Sequence, residues 1–312
     1  ANNVAVGNSA LFANTTAANL LAIGKSALAS NTTGSVNLAI GFEAYNSSDT
    51  ESNNFAIGYQ AMTTNTAGGS ENMAIGHYAL DALTSGDNNV AVGMNAGGQI
   101  TAAGQNVYVG NSAASGASVA GDYVTIVGYH AGVLNQVDST VALGAYAAAA
   151  NTTGANITAI GRNCLDANTT ASNNTAVGVG SLGANTTGSR NIAFGGAALD
   201  GCDTEDDNMA IGYAAMTTNN AGGTGNIAIG NYAGDAITSG DYNTVIGLQA
   251  GGALTSGGRN IAIGADALLV GTTAAENVAI GVNSMTACVG GGGNTAIGTH
   301  SLKANTEAAN NT

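Results

Sequence analysis

Proline and tryptophan are absent from the 312 residues, and lysine and arginine together number only five. Against 19 aspartates and glutamates, this leaves a formal net charge of −14. A nucleic-acid footprint needs a basic face, so no nucleic-acid partner is expected, and anionic membrane surfaces are disfavoured on the same ground. No run of 18 apolar residues exists, so no membrane insertion is expected of this segment. No charged stretch followed by an apolar one opens the chain, so no signal peptide is expected there. Cysteine is scarce, with only Cys164, Cys202 and Cys288. Charged residues make up just 8% of the chain, and low charge with low complexity can mean disorder.

Disorder needs no register, and this sequence keeps one. Ala-Ile-Gly or a close variant ends at Gly7, Gly24, Gly41 and Gly58 and continues to Gly298, eighteen times in all, with successive glycines 17 residues apart and excursions only to 16 or 18. So short and even a period implies a solenoid in which each repeat forms one coil. The expected fold is all-β, a parallel β-roll of about eighteen 17-residue coils. No segment is left over to build an active-site pocket.

Numbered from the anchor glycine, position −4 is Asn in fourteen of eighteen coils, −2 is Ala in fifteen, +3 is Ala in fourteen and +8 is Thr in twelve. Asn37-Leu38-Ala39-Ile40-Gly41 reads as a short strand with Leu38 and Ile40 on one face and Ala39 on the other. Gly41–Tyr45 reads as a second short strand with Ala44 inward, and Asn31-Thr32-Thr33-Gly34 as a turn. Recurrence in register predicts two polar ladders: asparagines such as Asn37, Asn54, Asn72 and Asn191, and threonines such as Thr15, Thr32 and Thr186. One Ile or Val, one Leu and three Ala are expected to be buried per coil. So thin a core predicts that the remaining apolar face is covered by other copies of the chain, as a homo-oligomer.

A longer repeat is superimposed. Ala56-Ile57-Gly58-Tyr59-Gln60-Ala61-Met62 returns as Ala210-Ile211-Gly212-Tyr213-Ala214-Ala215-Met216, an offset of 154 residues or nine coils. The domain expectation is therefore one continuous solenoid over 1–312, built of two nine-coil super-repeats at about 1–156 and 157–312. Its ends, at Ala1 and Thr312, read as cut from a longer repeat tract.

The pattern N-x-A-I-G-x-x-A, as in Asn37–Ala44 and Asn294–Ser301, resembles the YadA-like head repeat of trimeric autotransporter adhesins. The seventeen-residue form with N-T-T-G is similar to tracts in bacterial surface fibres and phage tail fibres. The resemblance spans the whole chain, although typical head repeats are shorter, near fourteen residues. It implies a left-handed roll assembled as a homotrimer, an extracellular location on a cell or virion, and attachment to a host cell surface or matrix ligand. Tyr59, His77, Tyr78, Tyr129, Tyr213 and Tyr232, which vary just after the anchors, are the expected contact set, since tyrosine is rigid and amphipathic.

Other chemistry finds little support. Gly178–Gly183 matches G-x-G-x-x-G, but its first glycine is an anchor and no βαβ unit surrounds it. Gly24-Lys25-Ser26 lacks the upstream glycine of a phosphate loop. Gly222–Asn226 resembles a calcium β-roll motif but carries Asn where Asp is needed. Asp203, Glu205, Asp206 and Asp207 form an acidic patch that reads as a solvated turn. His77, His130 and His300 lie in distant coils, as do the cysteines. Cys202 and Cys288 share a phase five coils apart, about 24 Å at about 4.8 Å per coil, beyond the about 7 Å a disulfide allows. The cysteines are expected as buried free thiols, and neither an enzyme nor a cofactor is expected. Asn14, Asn31, Asn151, Asn168 and Asn185 head N-T-T sequons and read as turn residues. Two alternatives to adhesion remain: an ice-binding solenoid using the threonine column, and a passive spacer with binding elsewhere.

Overall fold

The computed structural model describes residues 2–116 and 121–311. Ala1 and Thr312, where the sequence reading places the cut ends, lie outside them. The fold is an all-β parallel solenoid of about 17 coils of about 17 residues, divided into two compact units, Ala1–Asn156 and Ile157–Thr312. Among the described residues, the first holds nine strands, β1 (Val4–Val6) to β9 (Val141–Leu143), and the second nine more, β10 (Thr158–Ile160) to β18 (Thr295–Ile297). Every strand is three residues long and ends one residue before its anchor glycine. Within a unit, neighbours pair in parallel without slippage, Leu38 with Phe55, Ala39 with Ala56 and Ile40 with Ile57.

The anchor must be glycine for two reasons. Gly41 has φ of 141°, which side chains rarely adopt, and a Cβ at Gly24 would overlap the carbonyl oxygen of Gly41 in the next coil. Close approach of the anchors along the stack leaves that side of the coil no room for any substituent.

The expected second strand at Gly41–Tyr45 is instead a run of tight turns. Glu43 and Tyr45 both have φ of 52°, and Ser26 and Leu28 in the preceding coil have 58° and 51°. Alternate residues in the left-handed region curl the backbone, so Ala44 and Tyr45 both reach the interior. Stacking sustains this cost: Glu43 N donates to Lys25 O at 2.9 Å and Tyr45 N to Ala61 O at 2.9 Å, so each strained residue is bonded to a neighbouring coil.

Strand burial also differs from expectation. The inward residue is the alanine: Ala22, Ala39 and Ala56 are fully buried, whereas Ile40 and Ile57 are half-buried and Ile23 is exposed. The core of an ordinary coil is therefore Ala at −2, Ala at +3 and Leu at +4, as in Ala22, Ala27 and Leu28. The Ile or Val at −1 belongs to the outer face.

Three coils break the alanine rule, and their neighbours compensate in volume. Tyr108, Ile126 and Val245 stand at −2, and position +4 beside them is emptied to Gly97, Gly132, Gly234 and Gly251. A Cβ at Gly97 would lie 3.0 Å from the Tyr108 ring and 3.2 Å from Ile100. One added at Gly251 would lie 2.7 Å from Val245. Interiors are close-packed, so a larger residue in one column demands a smaller one in the column it faces.

Candidate functional site

Buried polar columns fix the coil geometry from which the surface columns project. Asn37 Oδ1 accepts the backbone N–H of Asn54 at 2.8 Å, and its Nδ2 donates to Glu51 O at 2.7 Å. Asn54, Asn72 and Asn191 repeat this pattern, passing to Asn72, Asn89 and Asn208 at 2.9 Å each. The ladder thus runs mainly from side chain to backbone, not amide to amide. Direct amide contacts do occur, as from Asn89 Nδ2 to Asn72 Oδ1 at 2.9 Å. The threonines donate along the stack, to backbone or to a carboxylate: Thr15 Oγ1 to Thr32 O at 2.9 Å, Thr32 Oγ1 to Asp49 Oδ1 and Thr186 Oγ1 to Asp203 Oδ1. Hydroxyl protons spent along the stack are not available to an ice lattice, which weakens that alternative.

A third column escapes sequence reading. At −6, side-chain oxygens accept a backbone N–H of the preceding coil: Ser35 from Ala18, Ser52 from Ser35, Asp87 from Ser70, and Asp206 from Ser189. Mixed Ser and Asp identities hide the column, and only the shared acceptor chemistry reveals it. Glu51 and its counterpart Glu205 are also buried. Glu51 Oε2 accepts the N–H groups of Asp49 and Thr50 at 2.9 and 3.0 Å, and Glu205 Oε2 those of Asp203 and Thr204 at 2.8 and 2.9 Å. Asp206 and Asp207 are engaged by Arg190 at 3.1 and 2.6 Å. The acidic patch is thus largely committed to local partners.

The sequon asparagines Asn31, Asn151, Asn168 and Asn185 are fully buried, and Asn31 Nδ2 donates to Gly34 O at 2.9 Å, a geometry closed to glycosylation. Cys164, Cys202 and Cys288 are buried free thiols. Burial pushes the Cys164 thiol up to about 12, so it stays protonated and unreactive.

Two apolar surfaces remain. The first is the outer face of the strands, with side chains at −3 and −1. In the first unit it includes Val4, Ile23, Ile57 and Met73, and in the second Ile192, Phe194, Ile261 and Ile297. Phe194, within the stack, is 57% exposed, and most other −1 side chains are half-buried.

The second surface follows the anchors at +1 and +2, where the structure gathers most of the predicted contact residues into clusters. Phe42 and Tyr59 stack with ring centroids 5.2 Å apart and planes 7° from parallel. Tyr59 meets His77 at 6.0 Å and Tyr78 edge-on at 5.4 Å. Lys25 Nζ lies 5.4 Å from the Phe42 centroid and extends this row. Tyr129 forms a separate cluster with His130 and Tyr146, neither anticipated, and Tyr213 meets Tyr232 edge-on at 5.6 Å in the second unit. Desolvation raises the hydroxyl pKa of Tyr78, and the neighbouring Tyr59 adds to it; Tyr146 is raised in the same way beside Tyr129. Among the described residues, no group of three His, Cys, Asp or Glu could hold a metal ion. Comparison with models of known protein families gives no match, and comparison with curated proteins gives none.

Proposed function

We propose that the chain is the repetitive rod of an extracellular fibre, without enzymatic activity, that mediates attachment. Three copies associate along their outer strand faces as left-handed rolls and present the tyrosine clusters to a host cell surface or matrix ligand. The observation that carries this reading is the apolar outer face, where an aliphatic or aromatic side chain stands at −1 in every coil and an apolar one at −3 in thirteen of eighteen, threonine taking −3 in the other five. A face so regular, with its apolar side chains only partly covered, matches a partner of the same period, and another copy of the chain is such a partner. The resemblance of N-x-A-I-G-x-x-A to YadA-like heads supports the trimer and the adhesive role. The tyrosine clusters support contact by the flank itself, because preformed ring stacks lose little side-chain freedom on binding.

The test combines assembly with attachment. Ile57→Glu with Ile75→Glu, on the outer face, should dissociate the oligomer in light scattering. Tyr59→Ala with Tyr213→Ala should leave the oligomer intact and reduce retention on host cells by at least tenfold. Undiminished retention by the tyrosine variant would leave the chain a passive spacer, and an unchanged mass for the glutamate variant would remove the proposed interface.

A further inference from the structure

On neither apolar surface, but in the columns from −8 to −5, each unit carries a groove, and the two lie at equivalent places 154 residues apart. That of the first unit, of about 320 Å³, is lined among the described residues by Asp87, Gly104, Gln105, Asp122 and Tyr123. That of the second, of about 190 Å³, is lined by Asp241, Tyr242, Gly258 and Arg259. Asp87 matches Asp241, and Gly104 matches Gly258. Each hollow lies beside a glycine at −6, Gly104 or Gly258, where the preceding coil carries Asp87 or Asp241, so the aspartate side chain of that column is missing from the floor.

We infer that the groove of the first unit is a binding site for a neutral saccharide presenting vicinal hydroxyls. Its walls are acceptors held in place before any ligand arrives. Asp87 Oδ1 takes the N–H of Ser70 at 2.7 Å, and Asp122 Oδ1 takes that of Gly104 at 2.7 Å. Each carboxylate is therefore oriented by backbone, and its second oxygen faces no protein donor among the described residues. Fixed carboxylates accept strongly from hydroxyl groups, and the Gln105 amide can both donate and accept. Tyr123 is 66% exposed and Tyr242 62%, more than any tyrosine of the aromatic clusters. Each stands at −5 beside a groove, where a ring can cover the C–H face of a sugar.

Other ligand classes fit less well. Two carboxylates repel an anion, a polar lining disfavours an apolar ligand, and no third acidic or histidine ligand completes a cation site among the described residues. The second groove exchanges Gln105 for Arg259, which pairs with Glu276 at 3.4 Å, and is the smaller, so it is assigned weaker binding. The inference uses neither the strand face nor the aromatic clusters and therefore stands apart from the fibre reading.

The test is saturation-transfer NMR of the full chain with the methyl glycosides of glucose, galactose, mannose and fucose as probes. At least one should show transfer to its ring protons. Gly104→Ser places here the side chain this column carries at Ser35, Ser52 and Ser70 and fills the hollow; it should lower affinity at least tenfold with an unchanged circular dichroism spectrum. Tyr123→Ala should do the same. Absence of transfer to every probe at millimolar concentration would overturn the inference. So would equal transfer in both variants, or transfer that depends on added calcium.

Discussion

The two units share one coil plan but fill it differently. In the second unit, position −2 departs from alanine only at Val245, and glycine on both sides, Gly234 and Gly251, makes room for the added methyls. In the first unit, Tyr108 and Ile126 occupy consecutive coils, and Gly97 and Gly132 are emptied beside them. The Tyr108 hydroxyl is buried beside Asn106, whereas that of Tyr45 meets the amides of Asn54 and Asn65. The difference teaches that the solenoid conserves interior volume and anchor geometry, not residue identity. Tyr45 and Tyr108 fill the same interior from opposite columns, +4 and −2.

The most disruptive way to break the comparison is to strike what both units share. Gly58→Ala and Gly212→Ala each place a Cβ against the next coil's carbonyl at φ of 141° and 137°. Each should cost more than about 3 kcal/mol in urea unfolding, similarly in both units. A cost under about 1 kcal/mol in either would deny the anchor its role.

The next test sharpens the difference. Tyr108→Ala alone should lose about 3–5 kcal/mol by leaving a cavity. Gly97→Leu alone should lose about 1–3 kcal/mol by overpacking. Leucine is tolerated by the backbone there, since Gly97 has φ of 61° and Leu80, at the same position one coil earlier, has 50°. The double substitution recreates an Ala–Leu coil and should cost less than the sum, as read by a double-mutant cycle. Strict additivity would mean that the two columns do not share volume.

The smallest expected effect is a pH dependence weighted toward the second unit. Desolvation by burial raises the carboxyl pKa of Asp166, Asp200 and Asp235 there, against Asp81 alone in the first unit. Asp166 and Asp200 stand on either side of Gly183, and Asp200 adds to the rise at Asp166. A carboxyl raised on folding holds its proton more readily when folded, so stability falls as pH rises from the ordinary 3.8 through the folded value. The penalty is complete at neutral pH and is relieved on acidification through that interval. Asp166→Asn should raise the thermal midpoint at pH 7 and lose its advantage below the interval. An advantage that persists unchanged at low pH would exclude this cause.

Sequence reading reaches the periodic features because they rest on residue identity. The anchor has to be glycine, and the −4 ladder needs a side chain that both donates and accepts, so asparagine recurs. Three features escape it for the opposite reason. Left-handed residues at Glu43 and Tyr45 carry no glycine signal, because stacking hydrogen bonds hold them. The −6 column mixes Ser and Asp, so no single residue repeats. Strand orientation is ambiguous because three residues of alternating size can face either way, and the turns that decide it are the ones read as a strand. The tyrosine positions are visible as variable sites, but their grouping into Phe42–Tyr59–Tyr78 and Tyr129–His130–Tyr146 depends on alignment across coils.

The central claim is that the outer strand face is covered by copies of the same chain. Sedimentation equilibrium of the intact protein at micromolar concentration addresses it without substitution or ligand. The account predicts a single species of three times the 30.0 kDa chain mass, with β-rich circular dichroism. A folded species sedimenting at 30.0 kDa, with the same spectrum, would contradict it.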